Sequence, residues 1–315
     1  MNPIRRRHGL LALTFALLPM AGCAGPLLDS LRERRAAAGE SSEGELSGVF
    51  SGRLKGDVPM PAGARLIRDV KFGDDPQQTL DVYVPANARG APILFMVHGG
   101  AWMLGDKAYL PVVKAKVQRW LPKGYIVVST NYRMSRNPKV LDQVDDVARA
   151  LALTQQQAAT WGGDAGRLLV MGHSAGAHLV SLLASDQALI RRHGLQPWRG
   201  TVSLDSAVLN VVETMESKHY GFYDRVFGDD RDLWLAASPF HRLGTVTAPF
   251  LLVCASGRPD SCPQAEAFAG KLRSLGGKAT VLPVAMKHGA TNTELGEPSA
   301  YTESVERFMH EVGLP

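Results

Sequence analysis

Gly172-His173-Ser174-Ala175-Gly176 puts a hydroxyl between two glycines. An apolar run, Leu168–Met171, leads into it, and a helical segment, Ala175–Ser185, leads out. A serine on a sharp strand-to-helix turn projects its Oγ above the strand end, near the positive end of the helix, where it can act as a nucleophile. The two glycines leave room for neighbouring backbone and for the helix. A plain helix N-cap is the alternative role for such a serine. The pattern alone is weak in a chain with 32 Gly; its strand–turn–helix context raises its weight. A second cluster, His98-Gly99-Gly100-Ala101-Trp102, follows the buried-strand pattern Pro92–Val97. Its Gly pair lets the chain turn and expose amides able to hold a developing oxyanion; a tight turn without chemistry is the alternative.

These residues need a framework. From residue 91 onward, apolar runs alternate with helical spacing. Strands are expected at Pro92–Val97, Tyr125–Tyr132, Arg167–Met171, Thr201–Leu204, Phe250–Ala255 and Ala279–Val284. Helices are expected at Lys107–Leu121, Val140–Trp161, Ala175–Ser185, Pro263–Leu275 and Tyr301–Val312. Leu66–Phe72 and Thr79–Val84 alternate as an antiparallel hairpin around Asp74-Asp75-Pro76. The expected class is α/β: a mostly parallel central sheet with helices on both faces. Residues 206–245 interrupt this rhythm with an aromatic-rich insertion. It reads as a small lid or pocket wall, or as surface helices with their own core.

HGGAW followed by Met103-Leu104-Gly105-Asp106-Lys107, then Asn131-Tyr132-Arg133, then GHSAGAH, resembles the α/β-hydrolase serine esterases of the hormone-sensitive-lipase-like and kynurenine-formamidase-like groups. The resemblance covers roughly residues 65–313. It implies an oxyanion hole from Gly99, Gly100, Ala101 and Ala175, with Ala101 standing where many relatives carry a third Gly. It implies Trp102 and Tyr132 near a substrate pocket, Trp102 either walling it or anchoring its loop. His98 is read as a loop brace. The family order is nucleophile, acid, base. It places the acid on Asp260, in the loop after Phe250–Ala255, with Asp205 after Thr201–Leu204 as the competitor. It places the base on His288, after Ala279–Val284; the later His310 falls inside the last helix. The implied activity is a serine carboxylesterase on short-acyl or aryl esters, through an acyl-enzyme. An arylformamidase using the same groups is the alternative, and a non-catalytic binding scaffold is the reading of another class.

The chain has 315 residues, 45% of them hydrophobic and 21% charged, which excludes intrinsic disorder. Residues 1–22 read as a lipoprotein signal: Arg5, Arg6 and Arg7, an apolar stretch from Leu10 to Ala21, then Met20-Ala21-Gly22-Cys23. The apolar stretch is short of the roughly 20 residues that span a bilayer. Cys23 is the expected lipidation site, giving an envelope protein anchored by lipid, on the outer membrane facing the periplasm. Ordinary cleavage near Ala24 is the alternative. Residues 23–62, with a short helix near Leu27–Ala38, read as a tether, and 63–315 as the catalytic domain. Losing 1–22 removes three Arg and leaves 32 basic and 30 acidic residues. No clustered basic stripe supports nucleic-acid binding. An oxidising compartment would let Cys254 pair with Cys262; two unrelated thiols are the alternative. The expected partner is a small ester substrate, with no metal and no cofactor. The spacing from Gly100 to Gly105 imitates a phosphate loop, but Asp106 stands where Lys is required.

Overall fold

The computed structural model describes residues 56–315 apart from 207 and 247. The expected signal segment, Cys23 and the Leu27–Ala38 helix lie outside the described residues. Eight strands form one sheet: β1 (Arg65–Lys71), β2 (Thr79–Val84), β3 (Ala91–Val97), β4 (Ile126–Thr130), β5 (Gly163–His173), β6 (Gly200–Leu204), β7 (Phe250–Ala255) and β8 (Ala279–Val284). Their order is β1-β2-β4-β3-β5-β6-β7-β8. The β1–β2 and β2–β4 pairs are antiparallel and the rest parallel.

Parallel strands joined by crossovers carry helices on both faces, so their side chains are buried on both sides. Every residue of β3 is buried. The period of two divides that strand between two cores. Ile93, Phe95 and Val97 join Val128, Leu168 and Val170 on one face. Leu94 and Met96 join Val127, Leu169 and Met171 on the other. Each such side chain contributes about 1.5–3 kcal/mol by leaving water.

The first core is covered by α2 (Val140–Gln157), α3 (Ala175–Ser185) and α9 (Ser261–Ser274), the second by α1 (Leu110–Trp120) and α11 (Ala300–Glu311). A six-residue helix, α4 (Gln187–Arg192), follows α3. All residues of α3 are buried, so it is the central helix beneath the site. Val58 is also buried in the second core, so the packed domain begins ahead of the expected boundary at residue 63.

The insertion forms α5 (Val211–Glu216), α6 (Phe222–Phe227), α7 (Arg231–Ala237) and α8 (Pro239–Arg242). Asn210, Asp230 and Ser238 cap three of these short helices. Among the described residues the insertion forms no separate core. Val211, Met215, Tyr223, Phe227 and Ala237 join the first core. Past it lies a short helix, α10 (Ala290–Thr293), just after His288.

Candidate active site

Ser174 has φ 55° and ψ −117°, a backbone state that costs a non-Gly residue about 1–3 kcal/mol. Close packing holds it there. A Cβ on Gly172 would sit 2.3 Å from the Gly176 carbonyl oxygen, and one on Gly176 would sit 2.3 Å from that of Val97. The two glycines therefore let α3 start against the end of β3. The Ser174 amide donates to the Leu204 carbonyl at 2.9 Å, tying the turn to β6. The Ser174 hydroxyl lies 2.9 Å from His288 Nε2.

His288 Nδ1 lies 2.6 Å from Asp205 Oδ2. The carboxylate that meets His288 is therefore Asp205, and the expectation that Asp260 would stand there is corrected. The reason is strand register. In the β5–β6 pair His173 stands beside Leu204, so Ser174 and Asp205, one residue further along each strand, leave the sheet side by side. Asp260 lies five residues past the end of β7, exposed, at the N-cap of α9. Asp205 is fully buried, with φ 56°. Its Oδ1 accepts from the Ala255 amide at 2.8 Å and from the Ser261 hydroxyl. Its Oδ2 also accepts from Arg258 Nη1 at 2.9 Å. Burial alone would raise its pKa, but His288, Arg258 and the Ala255 amide outweigh burial and hold the carboxylate well below the usual range. Nδ1 of His288 thus donates to an ionised acid, which leaves Nε2 to accept from Ser174.

The loop carrying Ala255, Arg258 and Ser261 is closed by a disulfide between Cys254 and Cys262, whose Cα atoms are 5.1 Å apart. The sequence leaves this pairing open against two separate thiols, and no local pattern marks Arg258 or Ser261. The signal for Asp205 was present: an acid directly after a buried strand, one strand before the expected one.

His173 braces the His288 loop. Its Nε2 donates to the His288 carbonyl at 3.1 Å, and the two rings are 4.6 Å apart. Burial pushes its pKa well down, so it is neutral. Lys116 on α1 donates to the backbone carbonyl and side chain of Asn292 on α10, at 2.7 and 2.8 Å. Thr291 in turn donates to the His288 carbonyl at 2.7 Å.

Among the oxyanion candidates, Gly99 packs against the serine and Ala175 follows it in the chain. A Cβ on Gly99 would sit 3.0 Å from Ser174 Cβ. Gly100 and Ala101 take φ 124° and 50°. Among the described residues their amides donate to no carbonyl, and Ala175 is the first residue of α3. His98 is buried, its ring stacked on Tyr132 at 4.6 Å, as a brace would be. Tyr132 is fully buried, stacked on His98, with its hydroxyl 3.3 Å from the His98 carbonyl. Trp102 is an anchor. Its Nε1 donates to His178 Nδ1 at 3.2 Å, its carbonyl accepts from Gln143, and its ring meets Phe227 edge-on at 5.3 Å. Burial holds His178 at about 4, so it is neutral, with Nε2 donating to the Ala237 carbonyl at 2.8 Å. One histidine thereby links the glycine loop, α3 and the insertion.

The BD-FAE family model matches residues 80–220, a span that takes in the glycine loop, Ser174 and Asp205. The chain is 28% identical over 251 residues to the probable isoprenylcysteine alpha-carbonyl methylesterase ICME of Oryza sativa subsp. japonica, covering 73% of this chain and 59% of that protein. It is 32% identical over 205 residues to esterase LipQ of Mycobacterium tuberculosis, covering 61% and 48%. The chain thus spans about half of the curated relatives it matches. Esterase B from Lactobacillus rhamnosis shares the fold with a TM-score of 0.67 at 20% identity, over 90% of this chain and 94% of that one.

Proposed function

We propose that this chain, which shares the fold of solved esterases and resembles curated esterases in sequence, is a serine carboxylesterase that hydrolyses small esters by acyl transfer through Ser174. The observation that carries this is the continuous relay of Ser174 Oγ, His288 Nε2, His288 Nδ1 and Asp205 Oδ2, with steps of 2.9 and 2.6 Å. Ser174 gives its proton to His288 as Oγ attacks the acyl carbon. Asp205 fixes the imidazole tautomer and stabilises the imidazolium that forms. The amides of Gly100, Ala101 and Ala175 receive the oxyanion; one such donor is worth about 3 kcal/mol in the transition state. His288 then returns the proton to the leaving alcohol. Water, deprotonated by the same imidazole, releases the acid.

The relatives' names, a methylesterase and an esterase, support an ester over a formamide. The test is hydrolysis of a p-nitrophenyl acyl series beside N-formylkynurenine, by the protein and by Ser174→Ala. Short-ester turnover lost in the variant is the expected result. Preference for the formamide would replace the ester by the amide reading. Turnover that survives the substitution would reject both.

The same proposal includes the cell envelope, with residues 1–22 as signal and Cys23 as lipid anchor. The Cys254–Cys262 disulfide supports an oxidising compartment. Cys23→Ala should move the protein from the membrane to the soluble fraction; unchanged fractionation would reject the anchor.

A further inference from the structure

The relay contains a cation that the ordinary three-residue account does not use. Arg258 Nη1 lies 2.9 Å from Asp205 Oδ2, 3.1 Å from the Asp205 carbonyl and 2.9 Å from His288 Nδ1. Its side chain is 27% exposed, whereas Asp205 has no exposure. With Asp205 ionised, Arg258 and His288 Nδ1 both donate to one oxygen, and neither can accept from the other. Their nitrogens are held together by the shared carboxylate. If His288 takes a second proton, two cations stand 2.9 Å apart over a single negative charge. A carboxylate alone would favour that protonation; a carboxylate already paired with Arg258 favours it far less.

We infer that Arg258 is a positioning residue that keeps His288 in its neutral, proton-accepting form on the acidic side of neutrality. The inference rests on the serine hydrolase reading. Its physical content is a trade. The free enzyme resists the protonation that would remove its general base. In the tetrahedral intermediate the imidazolium is less stabilised by Asp205, but the oxyanion formed in the same step offsets the added positive charge. Arg258 therefore sets the pH range of activity more than the plateau rate.

The loop keeps Arg258 in place. Ala255 and Ser261 hold Asp205 from the same segment, and the Cys254–Cys262 bond closes it. Other groups facing the relay come from every packed element. His173 on β5 is neutral through burial. Tyr223 on α6 and Tyr301 on α11 are held neutral by burial, with pKa values raised. Asp260 shares the loop with Arg258 and lies at the exposed surface. Lys116 on α1 is pushed down to about 7 by burial and so titrates near the same range. Variants at Arg258 leave Lys116 unchanged, so a difference between them and the parent protein belongs to Arg258.

The test is kcat/KM for p-nitrophenyl butyrate from about pH 5 to 9, for the full protein, Arg258→Gln and Arg258→Lys. Gln keeps a donor and removes the charge; Lys keeps the charge. The expected result is that the acid limb of the Gln variant moves up by about one pH unit, whatever the height of its plateau, and that Lys moves the limb back. A uniform loss across all pH values in both variants, with the limb unmoved, would make Arg258 merely structural and overturn the inference. So would limbs that coincide for all three proteins. Thermal unfolding of each variant separates loss of fold from loss of positioning. If the parent itself shows no Ser174-dependent turnover, the serine hydrolase reading fails first.

Discussion

Asp205 enters the relay because β5 and β6 are paired in a register that sets His173 beside Leu204. Ser174 and Asp205 are then the first residues beyond a shared edge, and both adopt positive φ. At this scale the glycines matter as much as the acid. Gly176→Ala puts a methyl group 2.3 Å from the Val97 carbonyl oxygen, against backbone that cannot yield. We expect a loss of about 2 kcal/mol or more in unfolding free energy and a large fall in activity, read from a urea transition and from ester hydrolysis. Gly257→Ala serves as the control, since a Cβ there meets nothing within 4 Å. Ser174 could be found in the sequence because its motif is local: glycines, strand and helix are contiguous. Asp205 could not be separated from Asp260, because both follow buried strands and the choice depends on the register between strands, which no local pattern encodes. Arg258 escaped for the same reason. Nothing in its own neighbourhood says that it faces an acid 53 residues earlier.

Strands and long helices follow their expected spans closely, since each carries a clear period or an unbroken apolar run. The short elements did not. The 206–245 insertion broke into four helices whose packing comes from contacts with Trp102 and α3 that no local pattern encodes. The segment from the end of β7 to the start of α9 is the part on which the relay most depends, since Ala255, Arg258 and Ser261 all donate to Asp205. Replacing Cys254 and Cys262 together by Ser should lower stability by about 2–3 kcal/mol, from the loop entropy that the bond removes. It should also lower kcat several-fold with a smaller change in KM, because the loss falls on the alignment of Asp205. Chemical denaturation and steady-state kinetics on the double variant check this. An unchanged kcat would show that the loop holds its shape without the bond.

For the molecule as a whole, the last helix is fixed to α1 and the turn after it by charge as well as by packing. Glu306 on α11 accepts from Arg119 on α1 and from Lys123. The Arg119 bond is the main reason its carboxyl is held down at about 2, from an ordinary value of 4.5, with burial opposing and Lys123 adding. A carboxyl depressed on folding contributes stability above its unfolded value, and that contribution is lost as pH falls toward the folded one. Glu306→Gln should therefore cost about 1–2 kcal/mol at pH 7 and almost nothing once the pH is near the folded value of about 2. Urea unfolding of both proteins across that window checks the sign; a cost that grows in acid would contradict it.

The sheet brings a serine, a histidine and an acid from three separate strand ends to one edge, and the proposed relay turns on which acid that is. The most direct test is kcat/KM for a short p-nitrophenyl ester, measured on Asp205→Asn and Asp260→Asn side by side. Asparagine keeps the shape of each side chain and removes its charge. Asp205→Asn should lose about a thousandfold or more, the scale expected when the imidazole tautomer is no longer fixed, with Asp260→Asn within about threefold of the parent. A large loss at Asp260 with activity kept at Asp205 would contradict the proposed relay.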